Sequence, residues 1–286
     1  MRLLLIFVLS GQLLQAQDKP AYRIFDTRGK EVSFSKMCRE LQDADLVFFG
    51  ELHNNAIAHW MELQVEKELF AEHKDKLVLG AEMFEADNQY LLNEYLQGQV
   101  TDKRFEEEAR LWKNYSTDYK PLLLFAKQNG LHFVATNVPR HYAGLVSDRG
   151  FEALQLVSPA GKQFLPPLPI AYDSTLACYH DMLEMGGMHG EKVNANFPKA
   201  QALKDATMAH YIVQNWSKGK IFLHFNGSYH SDKHQGIVWY VQQAVPSARI
   251  LTVTVVSQAD IKDLNDESKG LADYIIAVPE DMTNTY

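Results

Sequence analysis

Two segments place chemically capable side chains at the same spacing. Gly50-Glu-Leu-His53 and Gly227-Ser-Tyr-His230 each carry a histidine three residues after a glycine, and Glu82-Met-Phe-Glu85 adds a third polar stretch. Imidazole and carboxylate bind divalent metals and serve as general acids and bases. Glu51, His53, Glu82 and His230 are therefore candidate metal ligands, and the candidate catalytic set if the protein is a hydrolase. A glycine at such a point lets the chain turn sharply and lets a ligand approach the backbone. Plainer explanations exist for each piece. A lone His at a strand end is more often a hydrogen-bonded structural residue, and Glu82 could cap a helix, where an acidic group suits the dipole. What favours a site is the convergence of all four on one edge. Two other patterns fail on their chemistry. His230-Ser-Asp-Lys-His234 lacks the Glu of a HExxH zinc helix, and Ser228 lacks the Gly-x-Ser-x-Gly surroundings of a hydrolase nucleophile.

Convergence needs a sheet. The runs Asp45–Phe49, Leu77–Ala81, Leu131–Ala135, Lys220–Phe225, Arg249–Val255 and Tyr274–Val278 read as short strands, the first a continuous apolar run after Asp45, as in a strand buried on both faces. Helical patterns separate them: Asn54–Glu72, with Ile57, Trp60, Met61, Leu63, Val65 and Leu69 as its apolar positions, then Asn88–Leu96, Phe105–Trp112, Tyr119–Asn129, Ser174–Met185, Lys199–Trp216 and Ile237–Ala244. Tyr22–Phe25 and Glu31–Phe34 flank a Gly-containing turn and read as a hairpin, followed by a short helix at Lys36–Leu41. Strand alternating with helix predicts an α/β fold with a mainly parallel central sheet flanked by helices. Such sheets bind ligands beyond the carboxyl ends of their strands, which is where the three polar segments fall. An irregular, aromatic stretch within about residues 100–200 reads as a helical lid, an insertion within one domain spanning residues 17–286.

The chain has 286 residues, 36 of them acidic against 28 basic, for a formal net charge of −8. No basic cluster occurs of the kind that displaces counterions from phosphates, so a nucleic-acid partner is not expected. Arg2, the apolar run Leu3–Leu9 and Ala16 have the layout of a secretory signal peptide over residues 1–16. Its apolar part is too short to span a bilayer, which takes about 20 residues. No Cys follows that would carry a lipid. The expectation is an exported, periplasmic protein. Cys38 and Cys178 are in no metal-binding spacing, and the sequence leaves open whether they pair or stay as buried thiols.

These residues also carry a family resemblance. Phe48-Phe-Gly-Glu-Leu-His53, Ala81-Glu-Met-Phe84, Trp112-Lys-Asn-Tyr115 with Asp118-Tyr-Lys-Pro121, Ala135-Thr-Asn-Val-Pro-Arg140, Ala200–Ala209 and Asn226-Gly-Ser-Tyr-His230 resemble the ChaN family, which is similar to the Tiki/TraB and erythromycin-esterase-like group. The match runs in order from about Asp45 to Thr254. It implies a periplasmic or surface protein that binds haem as a dimer and assists iron acquisition, serving an outer-membrane haem-uptake system. Members are often lipoproteins, and this sequence departs there. In the Tiki branch the matching Glu and His positions serve a divalent metal and peptide hydrolysis, an activity that does not transfer automatically.

Haem itself needs an apolar, aromatic surface and an axial ligand such as His or a Tyr phenolate. Tyr115, Tyr119, Tyr172 and His189 are the candidate cofactor-binding residues, with Trp112, Tyr179, Met182, Met185 and Met188 around them. Aromatic and Met residues at helical spacing are more often plain core packing. His189 differs because glycines flank it in Gly186-Gly-Met-His-Gly190. The axial ligand stays open among the four. Because the chain and the haem propionates are both anionic, local cations must help, and Arg110 and Arg140 are the candidates. Three readings follow: a haem-binding uptake protein, a divalent-metal-dependent hydrolase, and a chain whose pocket is vestigial and whose lid is a partner surface.

Overall fold

The computed structural model describes residues 19–188 and 194–286, leaving aside the side chains of 184–188. The expected signal peptide (1–16), His189 and the side chains of Met185 and Met188 lie outside the described residues.

The apolar runs do form strands, and their neighbours fix the site. In chain order the elements are β1 (Arg23–Asp26), β2 (Glu31–Val32), α1 (Phe34–Leu41), β3 (Leu46–Glu51), α2 (Ala56–His73), β4 (Leu77–Glu85), α3 (Gln89–Leu96), α4 (Asp102–Glu108), α5 (Lys120–Asn129), β5 (His132–Asn137), α6 (Arg140–Arg149), α7 (Pro159–Lys162), α8 (Ala177–Met188), α9 (Phe197–Asn215), β6 (Ile221–Gly227), α10 (Ile237–Ala244), β7 (Ile250–Gln258) and β8 (Tyr274–Pro279). Among the described residues they build one eight-stranded sheet in the order β2-β1-β8-β7-β3-β6-β4-β5. The six strands from β8 to β5 run parallel, and the β1–β2 hairpin is added antiparallel at one edge.

Both faces of that sheet are covered. On one, Phe49, Leu79, Phe133 and Phe225 pack against Met61, Val65 and Leu69 of α2, Leu92 of α3 and Leu123 of α5. On the other, Phe48, Val78 and Phe222 meet Met208 and Ile212 of α9 and Val238 and Val241 of α10. Burying a side chain of this size contributes about 1.5–3 kcal/mol, which is why strands with no polar face are stable here. The sheet's wiring then creates a crevice. β3 and β6 are neighbours, yet the chain leaves β3 through α2 on the first face and leaves β6 through α10 on the second. Crossovers that depart to opposite faces leave a gap above the strand ends, the usual ligand position in such sheets. Among the described residues no helix is long and apolar enough to cross a membrane.

Three details depart from the expected elements. β4 continues through Glu85, so Glu82 lies inside a strand and does not cap a helix. The expected helix at Phe105–Trp112 instead starts at Asp102, where Thr101 Oγ1 accepts from Arg104 N at 3.3 Å, and ends at Glu108. A π-helical turn, Tyr115–Tyr119, then feeds α5. In α2 the inward face differs too: Trp60 is 49% exposed, while His59, Glu62 and Glu66 are buried beside Met61 and Val65. The two cysteines are free and buried, with each thiol pushed up to about 12 by burial first and by nearby carboxylates second.

Candidate functional site

Above the β3–β6 crevice lies a cavity of about 750 Å³ lined by residues of all three polar segments, within the range of about 300–1,000 Å³ common for small-molecule sites. Its floor consists of two acid–imidazole pairs on either side of Gly227. In the first, Glu51 at the end of β3 accepts at Oε1 from His53 Nδ1 at 2.5 Å and from the Tyr119 hydroxyl at 2.7 Å. In the second, Glu82 in β4 accepts the Gly227 backbone N–H at 2.9 Å and faces His230 Nε2 at 3.3 Å. His230 Nδ1 donates to Asp205 Oδ1 of α9, whose other oxygen accepts from the Tyr179 hydroxyl at 2.7 Å.

Charge explains why these pairs hold. Burial alone would push each carboxyl up and each imidazole down. For His230 that penalty is outweighed by Glu82 and Asp205, and its pKa rises to about 10. For Glu82, burial is outweighed chiefly by His230, and the carboxyl stays well below the usual range. Glu51 likewise is lowered to about 2 against its burial, through His53 and His59. His53 is also raised, its burial overcome by Glu51 and Glu82. The floor is therefore a set of ion pairs, buried at His230 and Glu82 and half-buried at His53.

The two glycines earlier assigned to sharp turning serve a different need, which is space. A Cβ on Gly227 would stand 2.7 Å from His53 Nε2, and one on Gly50 would stand 2.8 Å from the Ser228 Cα. Gly227 has an ordinary φ of −57°. Close approach of the two strand ends, not a special backbone angle, requires both residues.

The walls come from separate elements. Leu111, Trp112, Lys113 and Asn114 precede the π turn, Asn137 ends β5 and Val138 follows it, and Gln201 and Lys204 belong to α9. Trp112 meets the His53 ring edge-on at 4.9 Å between centroids. Arg140 lines the cavity too, its Nε paired with Glu85, while Arg110 Nε meets the other Glu85 oxygen at 3.0 Å and its Nη2 pairs with Asp87. Both arginines are thus already partnered, with Arg140 the more exposed at 61% against 42%.

Placement of the remaining candidates is mixed. Tyr115 and Tyr119 are buried and do not line the cavity: Tyr115 packs in the Phe84–Phe105 cluster, and Tyr119 holds Glu51. Both phenols are pushed far up by burial, then by neighbouring ionisable groups, against forming a phenolate. Tyr172 packs against Phe151 and Tyr179, away from the cavity. His230 and His234 go to different partners, His234 Nε2 to Asp273 at 3.0 Å, so they share no site. Glu51, His53, Glu82 and His230 all reach the cavity floor, but as two pairs. Among the described residues, the group whose ligand atoms lie within 4.8 Å of one another is Glu51, His59 and Glu62.

Several contributors escaped the sequence reading. Asp205 lies inside the Ala200–Ala209 segment of the family resemblance without being singled out there, and its pairing with His230 depends on α9 crossing the β6 end. Asn114 donates to the His53 carbonyl at 2.9 Å and to Asp118 at 2.7 Å. Tyr229 and Tyr286 complete the rim. Tyr229 lies inside the Gly227–His230 motif without being singled out there, and Tyr286 carries no sequence signal.

A mainly parallel α/β sheet with charged pairs at its switch point, under a half-apolar cavity, defines a domain of the doubly wound type. The chain matches the model of the haem-binding uptake family ChaN, Tiki superfamily, over residues 37–241, and it belongs to that family. A solved structure titled as cofacial haem binding to ChaN of Campylobacter jejuni is similar in fold, with 19% identity, TM-score 0.66, and coverage of 89% of this chain and 96% of that one. A Bacillus cereus protein is similar at 11% identity and TM-score 0.52, covering 90% and 95%. A search of curated proteins finds no match.

Proposed function

We propose that this chain is an exported, periplasmic haem-binding protein that works in haem and iron uptake as a homodimer, supplying or receiving haem from an outer-membrane system. The observation that carries the reading is the cavity itself, taken with the family's haem-binding description. Haem calls for an apolar wall, cations for its propionates and a ligand for its iron. Trp112, Leu111, Leu52 and Val138 supply the wall, and Lys113, Lys204 and Arg140 supply cations at the rim. Of His and Tyr side chains able to bind iron, His53, Tyr229, Tyr286 and His230 line the cavity, and the first three, His230 being held between Glu82 and Asp205, are preferred here to the buried tyrosines. Haem would supply the iron; the chain's own part is to orient the ring and exclude water from one side.

The hydrolase alternative is less well supported. Its base would be Glu51 or Glu82, both held below the usual carboxylate range and so unprotonated near neutral pH, but the family's description is of haem binding and not of hydrolysis. If hydrolysis nonetheless occurs, His53→Ala should abolish it.

Titration of the purified protein with hemin should give a shifted Soret band that saturates at fixed stoichiometry, and light scattering should give the mass of a dimer. Trp112→Ala should weaken binding roughly 2- to 12-fold, the equivalent of a lost aromatic contact of about 0.5–1.5 kcal/mol. Lys204→Glu should weaken it further at low salt than at high salt. Absence of a saturable Soret change sinks the proposal.

A further inference from the structure

Behind the cavity floor, on the far side of Glu51, lies a second cluster that haem binding does not use. α2 follows β3 closely because Asn55 caps it, its Oδ1 accepting from Ile57 N and Ala58 N at 3.0 Å each. That start sets His59 and Glu62 facing Glu51, with Glu66 buried one turn further along α2. His59 Nδ1 is 3.0 Å from Glu62 Oε2 and 3.2 Å from Glu51 Oε2. All four residues are at most 5% exposed.

Two observations point to a missing occupant. First, Glu51 Oε2, Glu62 Oε1 and both Glu66 carboxyl oxygens are buried without a hydrogen-bond partner. Leaving one buried polar atom unpaired costs about 1–3 kcal/mol, more when charged, so four together need an explanation. Second, His59 Nε2 lies 3.1 Å from the His53 carbonyl oxygen. A carbonyl only accepts, so Nε2 carries the proton and donates it. Nδ1 then faces the Glu62 and Glu51 carboxylates, and a cation placed there would take the position of a second ring proton. A metal-bound imidazole is usually oriented in this way, its second nitrogen donating to a backbone carbonyl.

We infer that Glu51, His59 and Glu62 form a buried site for a first-row divalent cation, with Glu66 one turn further along α2 as a third buried carboxylate. Metal–ligand bonds of about 2.0–2.2 Å hold donor atoms no more than about 4.4 Å apart. The 3.0 and 3.2 Å separations already satisfy that, and the whole group lies within 4.8 Å. One imidazole nitrogen with carboxylate oxygens suits Mn²⁺, Fe²⁺ or Zn²⁺ better than Ca²⁺, which takes oxygen alone, or Cu⁺, which prefers sulfur. The ion would be enclosed as the chain folds, since no ligand is open to solvent, and it would then contribute to folding free energy. Its role is to hold Glu51, which carries His53 and Tyr119 on its other oxygen. The site is separate from the haem reading and stands or falls without it.

The test uses the full chain, refolded from denaturant with one equivalent of Co²⁺ or Zn²⁺ and then freed of excess metal by chelator and desalting. One retained ion per chain, visible Co²⁺ d–d absorption and a raised Tm are expected. X-ray absorption of the Zn²⁺ form should show one imidazole and otherwise oxygen donors. Glu62→Gln, of nearly unchanged shape, should lower retention at least tenfold while hemin binding persists. No retained ion and no Tm shift would overturn the inference, leaving a proton-sharing cluster. Two imidazoles in the absorption spectrum, or full retention by Glu62→Gln, would also overturn it by placing the metal elsewhere.

Discussion

Glu82→Ala is expected to lower folding stability at pH 7 by about 3–5 kcal/mol, the usual cost of stranding one member of a buried ion pair. The substitution leaves the Gly227 N–H without its acceptor and leaves His230 with Asp205 alone. Urea unfolding should show a lower midpoint at unchanged slope. The pH dependence gives a second readout. The folded pKa of His230 is raised from 6.5 to about 10. Its contribution is therefore complete below pH 6.5 and is lost as pH rises towards 10. Glu82 is shifted the other way, down from 4.5, so its contribution is present above that value and is lost as pH falls below it. Wild-type stability should decline from pH 6.5 to 10, and the variant should show a shallower decline because only Asp205 still favours the charged ring. Equal midpoints for the two proteins at pH 7 would mean that the pair contributes nothing.

Gly50→Ala should cost about 1–3 kcal/mol, the usual penalty for overpacking, and should weaken hemin binding as well. Its added Cβ meets the backbone Cα of Ser228 at 2.8 Å, and backbone at a strand end cannot step aside cheaply. Relief requires the Ser228–His230 turn to move, which carries Tyr229 and His230 off the cavity. Gly227→Ala makes the informative contrast. There the obstacle is the tip of the His53 ring, and that side chain is 36% exposed and able to swing outward. Stability should then fall less, while the His53 pKa, followed by NMR, should drop as Glu51 loses its partner. A Gly50→Ala protein as stable as wild type, with unchanged hemin binding, would show that the strand ends have room to spare.

Much of this architecture could be read from the residues because burial on both faces leaves a plain mark. Leu46–Phe49 and Leu77–Ala81 are apolar throughout, and Ile221–Phe225 is so but for His224, and no amphipathic helix looks like that. The polar residues ending those strands stand out for the same reason, so Glu51, His53, Glu82 and His230 were visible as a set. Helices hide such information. His59, Glu62 and Glu66 share an inward face with Met61 and Val65, and the charged pattern reads locally as solvent-facing. Trp60 misled in the opposite sense, since a large apolar residue in a helix is assigned to the core by default. Tyr115 and Tyr119 resembled a lid because the aromatic run gives no hint of which rings the π turn drives inward. Asp205 needed the crossing of α9 over β6, a contact between distant parts of the chain that no local pattern encodes.

The strand order has a kinetic consequence. β6 is inserted between β3 and β4, so residue 46 must find residue 222, and residue 77 must find residue 221. Until some 220 residues are available, the two central strands each present an unpaired inner edge, and such edges recruit other chains. Pairings this distant in sequence close slowly, because the loop entropy is lost before the contacts form. The binding floor, assembled across that seam, is then among the last parts to form, and a chain cut before Ile221 has no route to it. Such a fragment should aggregate, not settle into a smaller soluble fold.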